Sequence, residues 1–162
     1  MNVSPEILRN TLVWPVLGLN FALRAGQEHR NLYKNEKLSV GIDEDGKQYL
    51  EYKEDVSKTN NGGLAHAHLK RKTVSPYESN DEPERCPVRL YKEYMAHVPK
   101  DAPANSFYLR PLKKPKGNFW YYKIVAGRET LGNAVAQDMK SASFEGYYSN
   151  HSLRRTCATR LL

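Results

Sequence analysis

The sequence of 162 residues predicts an α+β fold, mostly α, with one small three-stranded antiparallel β-meander. Three observations carry this. Apolar residues recur at helical spacing before residue 27 and again after residue 86. Between them, from Leu38, the period changes to strict alternation. Two turn-rich stretches, "DEDG" and "SKTNNGG", divide the alternating part into three.

Each element has its own local cause. Ser4, Pro5 and Glu6 form a helix start, with a capping hydroxyl, a proline at the first helical position and an acid in the first turn. The apolar run that follows predicts a largely buried helix, broken or kinked at Pro15, that resumes through Leu17, Leu19, Phe21 and Leu23 and ends at Gly26. "QEHRNLYK" reads as a further short helix. The meander follows as "LSVGI", "YLEYKEDV" and "LAHAHLKRKTV", and residues 75–87 read as a connecting loop. Pro87 opens a helix whose stripe is Val88, Tyr91, Met95 and Val98. "SFYLRPL" reads as a short extended segment, "KKPKGN" as a basic loop, and "ETLGNAVAQDMKSA" as a helix with Leu131, Val135 and Met139 on one side. A last helix starts near Asn150.

Composition narrows the function classes. The net charge of +7, from 25 Lys+Arg against 18 Asp+Glu, favours polyanionic partners, nucleic acid first and an anionic membrane surface second. The longest apolar run, broken by Pro15 and Asn20, is too short to span a bilayer. With no secretory signal pattern and only Cys86 and Cys157, far apart, an intracellular reducing compartment is expected. His66 and His68 alternate onto one strand face but lack a third ligand at metal-binding spacing, so neither a metal nor another cofactor is expected. GxSxG and GxGxxG patterns are absent.

Four places hold basic residues in specific surroundings. Arg24 closes the buried helix, where a guanidinium can be held rigidly or can simply offset the helix dipole. Lys58 sits at a hairpin tip, able to reach a ligand or only to solubilise a turn. His151 and Arg154 share the first turn of the last helix, a place suited to an anion and equally to an ordinary basic surface. Lys113, Lys114 and Lys116 cluster in what reads as a solvated loop.

Taken together and in order, "LRAGQEH", "SKT" and "HSLRR" resemble the catalytic domain of tyrosine recombinases. The closer similarity is to the crypton-derived branch found at the C-terminus of zinc finger MYM-type and glutamine-rich QRICH proteins. It extends over nearly the whole chain through "SPEILRNT", "GLNFALRAGQEHRNL", "RCPVRLYKEY", "SFYLRPL", "WYY", "LGN" and "YSNHSLRRTCATRL". The resemblance implies a helical recombinase-like domain over residues 1–162, with Arg24 and Arg154 clamping a scissile DNA phosphate and His151 hydrogen-bonding it. Lys58 would be the general acid, with Glu28 one turn after Arg24 to orient it. Cationic donors suit that chemistry because attack at phosphorus builds charge on the non-bridging oxygens.

The family's tyrosine nucleophile and its second His or Trp lie downstream of the histidine–arginine motif, and only eight residues follow Arg154 here. The expectation is therefore a domain without its nucleophile segment or its N-terminal DNA-clamping domain. Tyr147 and Tyr148 precede the motif, on the side opposite the family nucleophile. Three functions compete: a nuclear, catalytically inactive DNA-binding domain, a fragment of an active mobile-element recombinase, and a protein-interaction module of a nuclear regulatory protein. The expected partner is duplex DNA through its phosphate backbone, and no membrane. Leu153, Cys157 and Leu161 fall on one helix stripe, and its exposure would bring self-association.

Overall fold

The structure, a computed structural model, describes residues 13–23, 25–32, 37–53 and 75–160. The described residues form five helices and two separate two-stranded antiparallel sheets, so the fold is mixed α/β. This corrects the expectation of a mostly α domain with one three-stranded meander. Two things account for the difference. The stretch read as a basic loop is strand, and the segment expected as the third meander strand lies outside the described residues.

Helix α1 (Val13–Phe21) runs through Pro15 and ends earlier than its composition suggested. Ala22 leaves it with φ +50°, a left-handed conformation that stops the helix, and α2 (Ala25–Arg30) begins a new one. Strands β1 (Leu38–Ile42) and β2 (Gln48–Tyr52) pair in the register Leu38↔Tyr52, Val40↔Leu50, Ile42↔Gln48. The "DEDG" turn between them has a clear cause. Asp43 Oδ1 accepts from the backbone N–H groups of Asp45 and Lys47, and Gly46 supplies φ +79°.

The other edge of β2 is taken up by a stretch expected to be loop. Leu50 donates to the Pro76 carbonyl (3.0 Å), Glu78 donates to that of Gln48 (2.8 Å), and Tyr77 forms a single antiparallel bridge with Tyr49. Unpaired edge groups thereby find partners.

Helix α3 (Pro87–His97) starts at Pro87 as expected, and Val98 ends it in an extended conformation. The following Pro99 disfavours helical geometry at that position. The α3 residues Val88, Leu90, Tyr91 and Tyr94 are buried, and Tyr91 and Tyr94 pack against Phe107, which is fully buried. Tyr91 stacks on Phe107 with ring centroids 5.9 Å apart and donates its hydroxyl to the Leu38 carbonyl, tying α3 to β1. Tyr94 donates to the Phe107 carbonyl (2.7 Å) and accepts from the N–H of Leu109 (3.2 Å).

From Leu109 the chain forms a second hairpin, β3 (Leu109–Lys116) and β4 (Phe119–Val125), closed by Gly117 at φ +57° and Asn118. Pro111, Pro115 and three lysines hide the strand from propensity, and the register is broken twice by irregularities. Helix α4 (Arg128–Ser141) ends in a Schellman closure. Phe144 N–H reaches Met139 O (2.9 Å), Ser143 N–H reaches Lys140 O (3.1 Å), and Ser143 takes φ +61°. Helix α5 (Asn150–Arg160) packs back across α1, α2 and α4.

Candidate nucleic-acid interface

Helix α5 brings the only described members of the expected phosphate site to the surface, and three contacts fix its position. Asn150, buried at its start, donates through Nδ2 to the Leu131 carbonyl of α4 at 2.9 Å. Leu153 lies over Gly18 of α1, with its Cδ1 2.8 Å from where a β-carbon on that glycine would stand. Arg154 donates through Nη1 to the carbonyl of Ala22, the residue that ends α1, at 3.4 Å. A carbonyl at a helix C-terminus carries partial negative charge, and the guanidinium sits where it offsets that charge.

His29 lies beneath this junction. It is fully buried, with Nε2 and Cε1 each 3.5 Å from the β-carbon position of Gly18. Its Nδ1 lies 3.2 Å from the Tyr108 hydroxyl. Burial pushes its pKa down to about 3, so the ring is neutral at physiological pH. His29 supports the packing of α1, α2 and α5.

The expected site residues divide cleanly. His151 is exposed in the first turn of α5, and Arg154 is half-buried one turn later. Neither is paired with a carboxylate among the described residues. Arg24 and Lys58 lie outside the described residues, as do His66 and His68, so the convergence of all four basic groups is not on view. Lys113, Lys114 and Lys116 are exposed on strand β3. Tyr147 is 91% exposed, and Tyr148 donates its hydroxyl to the Glu145 carbonyl at 3.1 Å.

The apolar stripe expected to lie bare on the last helix is largely covered. Cys157 is buried and Leu153 packs against the core, while Leu161 lies outside the described residues. No helix among the described residues is long and apolar enough to cross a membrane. None of the described His, Cys, Asp and Glu residues form a group of three placed to hold a metal ion.

Gly18, His29 and Asn150 were missed as site-building residues. Their one signal in sequence is type: a glycine inside an apolar helix often marks close approach of another element.

Comparison with known proteins gives one match. A family model described as Domain of unknown function (DUF3504) matches residues 2–139. Arg24 and Lys58 fall inside that span, and His151 and Arg154 beyond it. No curated protein and no solved structure matches the chain.

Proposed function

From the premise that the chain belongs to the DUF3504 family, we propose that it is a DNA-binding domain derived from a crypton-type tyrosine recombinase. In this reading it acts in the nucleus and holds the phosphate backbone of duplex DNA. The observation that carries the reading is Arg154. Its guanidinium is tethered by one nitrogen to the carbonyl of Ala22, which stands two residues before Arg24 in the chain. A guanidinium has five N–H donors in a fixed fork, so one tether leaves most of them for a ligand. The tether also restricts the side chain before a ligand arrives, which lowers the entropic cost of binding. Exposed His151 stands in the same helix turn, where backbone N–H groups favour an anion. The motifs that resemble the recombinase clamp supply the identity of that anion.

The test is fluorescence anisotropy of the whole chain against a 30-base-pair duplex across a salt series. Phosphate contacts predict affinity that falls with salt and varies little with sequence. Arg154→Ala should weaken binding about tenfold on every duplex tried and reduce the salt slope by about one. Wild-type binding that is absent at low salt, or indifferent to salt, would sink the reading.

A further inference from the structure

We propose that the β3–β4 hairpin is a second, separate nucleic-acid surface, built for an unpaired strand. Residues 109–125 carry five cations, Arg110, Lys113, Lys114, Lys116 and Lys123, and no acidic residue. Lys123 is engaged by Asp101, and Arg110, Lys114 and Lys116 keep the ribbon positive. One side of the hairpin is core: Leu109, Leu112, Trp120 and Tyr121 are buried. Three large apolar side chains are nevertheless left to solvent, Phe119 at 46%, Tyr122 at 39% and Ile124 at 55% exposure. The Arg110 guanidinium lies 5.7 Å from the centre of the Tyr122 ring.

A merely solubilising basic loop needs none of this, and a single exposed apolar residue would need no explanation. Exposed aromatic rings, one of them beneath an arginine plane, on a lysine-rich hairpin match what an unpaired strand presents. Its phosphates meet the cations, and its bases stack on the rings whatever their sequence. In a duplex the base faces are already stacked on one another, so the exposed rings would find no partner there. An acidic peptide would meet the charge and leave the rings unused.

The hairpin is also held rigid. His97 of α3 stacks on Trp120 with ring centroids 3.3 Å apart and planes 8° from parallel. It donates through Nδ1 to the Asn118 carbonyl (2.8 Å), and Asn118 donates in return to the Ala96 carbonyl (3.3 Å). The turn is thus fastened to the end of a helix, so little order remains to be imposed when a strand binds.

The surface is independent of the α5 site, and one set of measurements separates them. The wild-type 162-residue chain and its variants are titrated into fluorescein-labelled dT20 and into a 20-base-pair duplex. Tyr122→Ala and Phe119→Ala should each weaken dT20 binding between about fivefold and a hundredfold. Both should leave duplex binding within twofold, and Tyr122→Phe should keep the dT20 affinity. Arg154→Ala should show the opposite pattern. The Lys114→Ala, Lys116→Ala double variant, at two exposed positions, should lower the dT20 salt slope by about 0.7 for each phosphate it no longer neutralises. The proposal is overturned if dT20 binding is unchanged in both aromatic variants, or if they weaken dT20 and duplex equally. Equal wild-type affinity for polyglutamate would overturn it as well, since charge alone would then account for binding.

Discussion

Leu153 occupies the space above Gly18 so closely that a β-carbon on the glycine would stand 2.8 Å from its Cδ1. Gly18→Val would drive a branched side chain into Leu153 and toward the His29 ring. Overpacking of this kind costs about 1–3 kcal/mol. Urea denaturation should show a lower midpoint with an unchanged slope.

Acid should act on this protein through two opposed groups. The His29 pKa is lowered from 6.5 to about 3. Between those values the unfolded chain binds a proton that the folded chain excludes, so stability falls as pH falls, by at most about 1.4 kcal/mol per unit. Asp138 lines a groove with Tyr108, Leu131 and Gln137, and burial raises its pKa from 3.8 to about 6. Between those values the folded chain holds the extra proton, so stability falls as pH rises. This second effect is smaller because Asp138 is partly solvated. Melting temperatures measured from pH 7 to 4 should therefore show a shallow acid decline. Asp138→Asn should steepen it, and His29→Gln should reverse its sign.

Tyr94 joins α3 to the start of β3 with one hydroxyl that both donates and accepts. Tyr94→Phe keeps the ring packing on Phe107 and strands the N–H of Leu109 and the carbonyl of Phe107. A loss of about 1–3 kcal/mol is expected, read as a lowered denaturation midpoint.

Ser143 holds the left-handed position of the Schellman closure after α4, where glycine carries no β-carbon penalty. Ser143→Gly should raise stability by about 0.5 kcal/mol, since relief of strain exceeds the added freedom of the unfolded chain. A lowered melting temperature would contradict it.

Elements with a strong local cause were legible in the sequence. Pro87 gave the start of α3, the Asp43–Gly46 turn gave the first hairpin, and the last helix begins at Asn150 as its pattern suggested. The second hairpin was not legible, because its lysines and prolines are poor strand formers. They stand there because pairing with Phe119–Val125 and the packing of Trp120 and Tyr121 outweigh propensity. The pairing of Tyr77 with Tyr49 was hidden for a related reason, since a loop that satisfies a strand edge needs no alternating pattern. In the site, His151 and Arg154 were legible as a pair on one helix turn. Their different fates were not. The tethering of Arg154 depends on Ala22, and no local pattern connects positions that distant.

That separation has a consequence during synthesis. Ala22 and Arg154 stand 132 positions apart, so at about 5–20 residues per second a ribosome adds the second roughly 7 to 26 s after the first. Both hairpins close over short loops and can form while translation continues. The part of α1 that Leu153 covers at Gly18 waits uncovered through that interval, available to chaperones or to neighbouring nascent chains. A polypeptide released before α5 is made would display the β3–β4 ribbon and have no Arg154 to place.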